Sequence, residues 1–221
     1  MDEVRTLFHE FGHGLHGLLS KVHYRSLSGT SVKRDFVELP SQIMEHWAVE
    51  PEVMRSYARH CETGDVIPDE LIDKLRRAGQ FNQGFATTEY LAASYLDLHW
   101  HSGDSGTGDA ASVNAEEAAA MRQIELIAEV DPRYRSTYFQ HIFASDGYAA
   151  GYYAYIWAEV LDADAFQVFA DKGIFDAATA ASFREHILSR GGTDDPMALY
   201  QRFRGQEPTV APLLAQRGLS G

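Results

Sequence analysis

Apolar positions along this chain recur every three to four residues far more often than every second residue, the spacing that lines one face of an α-helix. The pattern predicts helices over 2–20, about 38–62, 69–82, 84–102, 112–129, 133–144, 150–171, 177–190, 195–204 and 208–217. Local punctuation supports several of these bounds: Pro68-Asp69 and Asp131-Pro132 suit helix starts, and Gly191-Gly192 suits a stop. One segment reads differently. His23 to Thr30 carries weak alternation and closes on Gly-Thr, which predicts a short strand or extended edge between the first two helices. The expected fold is therefore mostly α and multi-helical, with that single short β element. Residues 103–109, Gly-Asp-Ser-Gly-Thr-Gly-Asp, form the clearest loop and the expected subdomain boundary within one domain over 1–221. No internal repeat is evident, and the alanine-rich stretch at 115–120 reads as ordinary helix.

Composition narrows the classes. With 221 residues, 45% hydrophobic and 23% charged, the chain can bury a substantial core, and dominant disorder is excluded. Nineteen basic against 32 acidic residues give a net charge of −13, which disfavours nucleic acid and anionic membrane surfaces as partners. No stretch approaches the roughly 18 uncharged apolar residues of a membrane span, and no basic region followed by an apolar core opens the chain. Cys61 stands alone, so it cannot form an intramolecular disulfide. It is expected to be an inert buried thiol in a reducing compartment, and the protein to be cytoplasmic.

Chemistry enters at residues 9–13, which read His-Glu-Phe-Gly-His. On a helix, positions i and i+4 share a face, so His9 and His13 can converge on one ion at the roughly 2.0–2.1 Å of a Zn–N bond. Glu10 is offset around the helix, beside such an ion without necessarily binding it, which suits a general base. A bare pattern of this kind also occurs in unrelated helices. Gly12, Gly14 and Gly17 each cost the same helix roughly 1 kcal/mol relative to alanine, so something is expected to approach its backbone closely, as in a crowded site. A third ligand should be a His or carboxylate from the next helix. Glu38, 25 residues beyond His13, qualifies, and it reads equally well as a first-turn glutamate in a capping box with Asp35. Asp35 and Glu45 are candidates for carboxylates that hold a ligand imidazole in its tautomer, and each reads more simply as a solvated helix charge.

A second cluster lies at Tyr148, Tyr152, Tyr153 and Tyr155. Positions i, i+4 and i+7 share a helical face, so Tyr148, Tyr152 and Tyr155 can present three phenols to one cleft or form an aromatic core stripe. Gly147 and Gly151 suit a mobile or closely approached backbone. Other histidines, including His16, His23, His46, His60, His99, His101 and His186, show no partner pattern and read as structural or exposed.

The His9–His13 run, followed by Leu27-Ser-Gly-Thr30 and Asp35-Phe-Val-Glu-Leu-Pro-Ser-Gln42, resembles the thimet oligopeptidase family of zinc metallopeptidases, called M3. Tyr134 to Phe143 and Gly147 to Trp157 are most similar to the bacterial peptidyl-dipeptidases within it, and the similarity runs on to Gln216-Arg-Gly-Leu219. The resemblance implies a zincin-like catalytic domain with a Zn²⁺ cofactor, the metal ligands His9, His13 and Glu38, and Glu10 as general base. It assigns no catalytic role to Arg34, Phe36, Pro40 or Gln42. It implies Tyr155 and Tyr148 as donors to the scissile carbonyl, Tyr152 as a substrate contact, and His141 as an aid to binding or transition-state stabilisation. The run Ala144-Ser-Asp-Gly147 departs from the glycine-rich form usual there. The implied activity is hydrolysis of peptide bonds in oligopeptides, releasing C-terminal dipeptides. The alternatives are an endo-oligopeptidase of the same family, or a zinc-binding fragment that is inactive without an upstream portion. Family members carry an upstream helical portion that forms the opposite wall of a deep channel. Here the zinc helix starts almost at Met1, so that wall is expected to be absent or supplied by a partner chain.

Overall fold

Regular structure is helical throughout the described residues, which in this computed structural model are 1–102 and 110–219. The loop and boundary expected at 103–109 lie outside them. The helices are α1 (Asp2–Leu18), α2 (Arg34–Val37), α3 (Leu39–Ala48), α4 (Pro51–Tyr57), α5 (Asp69–Gln80), α6 (Gln83–Ser102), α7 (Ala110–Gln123), α8 (Gln140–Phe143), α9 (Ala154–Lys172), α10 (Ala177–Phe183), α11 (Pro196–Arg204) and α12 (Ala211–Gln216). They form two compact units, one of Met1–Phe81 with Ile156–Gly221 and one of Asn82–Tyr155. Among the described residues no helix is long and apolar enough to cross a membrane.

Departures from the predicted bounds have local causes. The helix expected over 38–62 stops at Ala48, because Pro51 forces the residue before it, Glu50, into an extended conformation at ψ 133°. Beyond α4 the chain makes a small hairpin closed by an isolated bridge between Arg59 and Val66. Cys61 lies on its turn and is exposed, contrary to the buried thiol expected. The strand expected near 23–30 is instead a 3₁₀ turn at Arg25–Leu27. An extended segment needs a neighbouring edge, and here a second turn is the neighbour: Leu27 O accepts the Gly192 N–H at 2.9 Å. That approach requires glycine, since a Cβ on Gly191, at φ +48°, would stand 1.9 Å from Leu27 O. Among the described residues no strand ladder forms. The helix expected from 150 starts only at Ala154, after Ala150 at φ +54° has turned the chain.

In the first unit, α1 lies against α3. The contact is backbone to backbone at Gly12, where an added Cβ would meet Pro40 O at 2.4 Å and the Ser41 Cα at 2.6 Å. Gly14, expected to be equally crowded, faces open space, so close approach accounts for Gly12 and not for Gly14. α1 exposes Leu7, Phe11 and Leu18, and Leu7 and Phe11 line an apolar groove of about 740 Å³ with Trp47 and Phe175. The core joins Leu39 and Ile43 of α3 to Leu161, Phe166 and Phe169 of α9 and to Leu199 and Phe203 of α11. Two charges inside it are satisfied: Asp164 accepts from Tyr200 Oη at 2.7 Å and Arg204 Nε at 2.8 Å, and Asp162 meets His46 Nε2 at 2.6 Å.

In the second unit, α6 and α7 pack together. Ala93, Phe139, Ile142 and Tyr152 form its core, flanked by Tyr90, Tyr134, Tyr148 and Tyr155. Glu117 of α7 fixes the 3₁₀ turn at Ser136–Tyr138 by accepting from Ser136 N at 2.9 Å and Oγ at 3.0 Å, and it pairs with Arg135. That anchoring breaks the helix expected over 133–144 into two short turns.

Candidate metal centre

Helical periodicity places His9 and His13 on one face of α1, with ring centroids 5.0 Å apart and planes at 85°. Glu38 occupies the single residue between α2 and α3 and is buried. Its side chain makes no capping bond to α3. Instead it turns toward α1 and receives Ser41 Oγ at 3.1 Å, while the same hydroxyl donates to the Glu38 carbonyl at 2.8 Å. The Glu38 carboxylate thus faces the two histidines and not the end of α3. Glu38 Oε2 stands 3.4 Å from His9 Nε2 and 3.3 Å from His13 Nε2, and one donor atom from each residue lies within 4.8 Å of the others.

These separations test whether a metal fits. Bonds of roughly 2.0–2.2 Å in a tetrahedron put neighbouring donors about 3.4 Å apart, whereas a direct charged hydrogen bond would draw them to about 2.8 Å. The two Nε2–Oε2 spacings match the tetrahedral edge. Two imidazole nitrogens and one carboxylate oxygen at these distances are donors that could hold a divalent metal such as zinc.

The surroundings orient the donors. His9 Nδ1 lies 2.8 Å from Glu45 Oε1, so a proton on Nδ1 leaves the Nε2 lone pair facing Glu38 and His13. Glu38 and Glu45 together raise the His9 imidazolium to about 9. Burial opposes the charge on Glu38, yet His13 and His9 outweigh it and hold that carboxyl well below the usual range. A cation binding here replaces the positive charge that His9 otherwise carries as a proton. Of the two supporting carboxylates considered from sequence, Glu45 meets a ligand ring, while Asp35 lines a separate pocket of about 190 Å³ with Lys33 and Trp157. Glu10 is exposed on α1 beside His9. One turn beyond His13, His16 is fully buried with no partner for either ring nitrogen among the described residues, and burial lowers its pKa to about 4.

The tyrosine cluster belongs to the second unit. Residues 148–153 form a turn rather than the helical face expected, because Ala150 is left-handed. Tyr148 and Tyr155 nevertheless come together: their rings stack 5.5 Å apart, and the Tyr155 hydroxyl donates to that of Tyr148 at 2.7 Å. The His141 ring lies 5.7 Å from that of Tyr148 and 6.4 Å from that of Tyr155. Tyr152, expected to contact substrate, is 3% exposed and packs against Phe139 and Tyr90, so it takes the core role that its spacing also allowed. Sequence reasoning missed Ser41, which steers Glu38, and Asp97 of α6, which holds the tyrosine turn. A serine three residues after a candidate ligand carboxylate is a usable local signal; a lone aspartate inside a helix is not.

Known proteins resemble the chain along almost its whole length. The profile of peptidase family M3 matches residues 1–219. Dipeptidyl carboxypeptidase of Escherichia coli is 47% identical over 231 residues, covering 99% of this chain and 32% of its own length. Oligopeptidase A of the same organism is 43% identical over 222 residues, covering 100% of this chain and 32% of its own. Thimet-like oligopeptidase of Dictyostelium discoideum is 30% identical over 224 residues, with 99% and 32% covered. The chain thus spans about a third of the length of the curated relatives it matches.

Proposed function

The chain belongs to peptidase family M3, and on that premise we propose that it carries the catalytic site of a zinc-dependent peptidase acting on oligopeptides. The observation that carries the reading is the convergence of His9, His13 and Glu38 within 4.8 Å, with Glu10 next to His9 on the same helix. His9, His13 and Glu38 hold the zinc, and Glu45 and Ser41 keep two of these side chains aimed. Zinc bound there would supply Lewis-acid polarisation of a peptide carbonyl and lower the pKa of a water toward neutrality. Glu10 would accept a proton from the attacking water and pass it to the leaving amine. In the second unit, the Tyr148–Tyr155 hydroxyl pair donates to a peptide carbonyl oxygen as negative charge develops, with His141 beside it.

Identity to a dipeptidyl carboxypeptidase favours release of C-terminal dipeptides. Identity to oligopeptidase A supports a second reading, internal cleavage of short peptides. The test is a zinc assay on the purified chain combined with mass spectrometry of a peptide digested with and without chelator, using free and amidated C-termini. One zinc per chain and dipeptides released only from the free C-terminus support the first reading, and internal fragments from both forms support the second. A folded, zinc-loaded chain that hydrolyses neither peptide overturns the peptidase reading of this chain and leaves a metal-binding portion of a longer enzyme.

A further inference from the structure

We infer that Asp97 is a positioning residue, whose buried carboxylate clamps the 148–153 turn and so fixes the stance of the Tyr148–Tyr155 pair. The consequence for catalysis rests on the role proposed above for those phenols; the clamp itself does not. Asp97 projects from α6 with its side chain fully buried. Its Oδ1 accepts the Ala150 N–H at 2.9 Å and its Oδ2 accepts the Tyr152 N–H at 2.8 Å. One turn further along α6, His101 Nδ1 lies 2.8 Å from Oδ1. Two turns earlier on the same helix, the Tyr90 hydroxyl donates to the Tyr152 carbonyl. One helix therefore grips the turn through both faces of its backbone.

The turn needs such a grip. Ala150 sits at φ +54°, a conformation alanine disfavours, and it is held there by its neighbours rather than by preference. Within the turn, Gly151 N bonds Tyr148 O at 2.8 Å and Ala154 N bonds Gly151 O at 3.1 Å, so the turn's own carbonyls take the amides of residues 151 and 154. The amides of 150 and 152 are taken by the carboxylate. Two acceptor oxygens and no donor suit this place, because a carboxylate can face two N–H groups at once. An asparagine amide would have to aim its NH₂ group at one of them, whichever way it is flipped.

The experiment is amide hydrogen exchange and steady-state kinetics on the full chain, wild type and Asp97→Asn. In the wild type, the amides of Ala150 and Tyr152 should exchange markedly more slowly than that of Ala149, although all three lie outside a helix. In Asp97→Asn their exchange should accelerate roughly tenfold or more, as expected for loss of a charge-assisted bond. kcat should fall by roughly tenfold or more, while zinc affinity stays within about twofold, since His9, His13 and Glu38 belong to the other unit. Unchanged exchange and kcat in the variant overturn the proposal. So does a fall in activity that merely tracks lost zinc stoichiometry, which marks general unfolding. If Asp97→Asn does not fold, the wild-type exchange pattern decides: amides 150 and 152 exchanging as fast as that of Ala149 overturn the clamp. A wild type that hydrolyses no peptide overturns the functional reading alone, and the exchange data still decide the clamp.

Discussion

His9 uses its two ring nitrogens for two different carboxylates: Nδ1 lies 2.8 Å from Glu45 and Nε2 lies 3.4 Å from Glu38. The shorter contact is a hydrogen bond that fixes the tautomer, and the longer one has the spacing of two donors sharing an ion. Glu45→Ala should therefore weaken zinc binding by roughly 10–100-fold without changing stoichiometry at saturating metal. Competition titration against a chromophoric chelator measures the change. Unaltered affinity would mean that packing alone orients the ring.

Glu10 is separable from the ligands by position, being exposed and adjacent to His9. Glu10→Gln should keep one zinc per chain and lose roughly 10²–10⁴-fold in kcat, the usual contribution of a positioned proton acceptor. Metal analysis and peptide turnover on the same sample check both halves. A variant retaining full turnover would remove Glu10 from the reaction.

Gly12 and Gly14, two residues apart in one helix, should respond with opposite sign. Gly12→Ala forces a methyl group against Pro40 O and the Ser41 Cα, and should destabilise the fold by about 1–3 kcal/mol while weakening zinc binding, because α3 carries the chain out of Glu38. Gly14→Ala meets nothing within 4 Å and should stabilise α1 by up to about 1 kcal/mol. Urea unfolding of both variants gives the comparison.

His16 provides the pH dependence. Its pKa falls from 6.5 to about 4 on folding, because burial disfavours the charged ring. Between these values the unfolded chain binds a proton that the native state refuses, so stability drops as pH falls from 6.5 to 4 and this contribution levels off below. The shift corresponds to about 3 kcal/mol in the metal-free protein. His16→Leu should be at least as stable at pH 7, since neither ring nitrogen has a partner to lose, and should lack this part of the acid slope. Equal slopes for wild type and variant in denaturant titrations at pH 7 and 4.5 would count against it.

The residues that could be read from sequence are those whose partners are near in the chain. His9 and His13 are one turn apart, and helical geometry alone puts them together. Glu38 could be nominated but not chosen over a capping role, since the choice depends on how α1 crosses α3, and that crossing is set by the Gly12 contact. Glu45 remained one charge among many for the same reason. The strand expected at 23–30 failed because its hydrogen-bonding partner is the turn at Gly191-Gly192, about 160 residues away. The i, i+4 and i+7 spacing puts Tyr148, Tyr152 and Tyr155 on one helical face, and nothing local reveals that Ala150 is left-handed or that Asp97, 53 positions earlier, accepts its N–H.

The backbone contact at Gly12 has one more consequence. The main chains of α1 and α3 meet at Gly12, so packing of these helices contributes to bringing the donors together, and part of the ordering cost of the site is met during folding. Chelation should accordingly leave the helical circular-dichroism signal and a cooperative melt intact, unlike in small domains that collapse when stripped, and cobalt should reload the emptied protein.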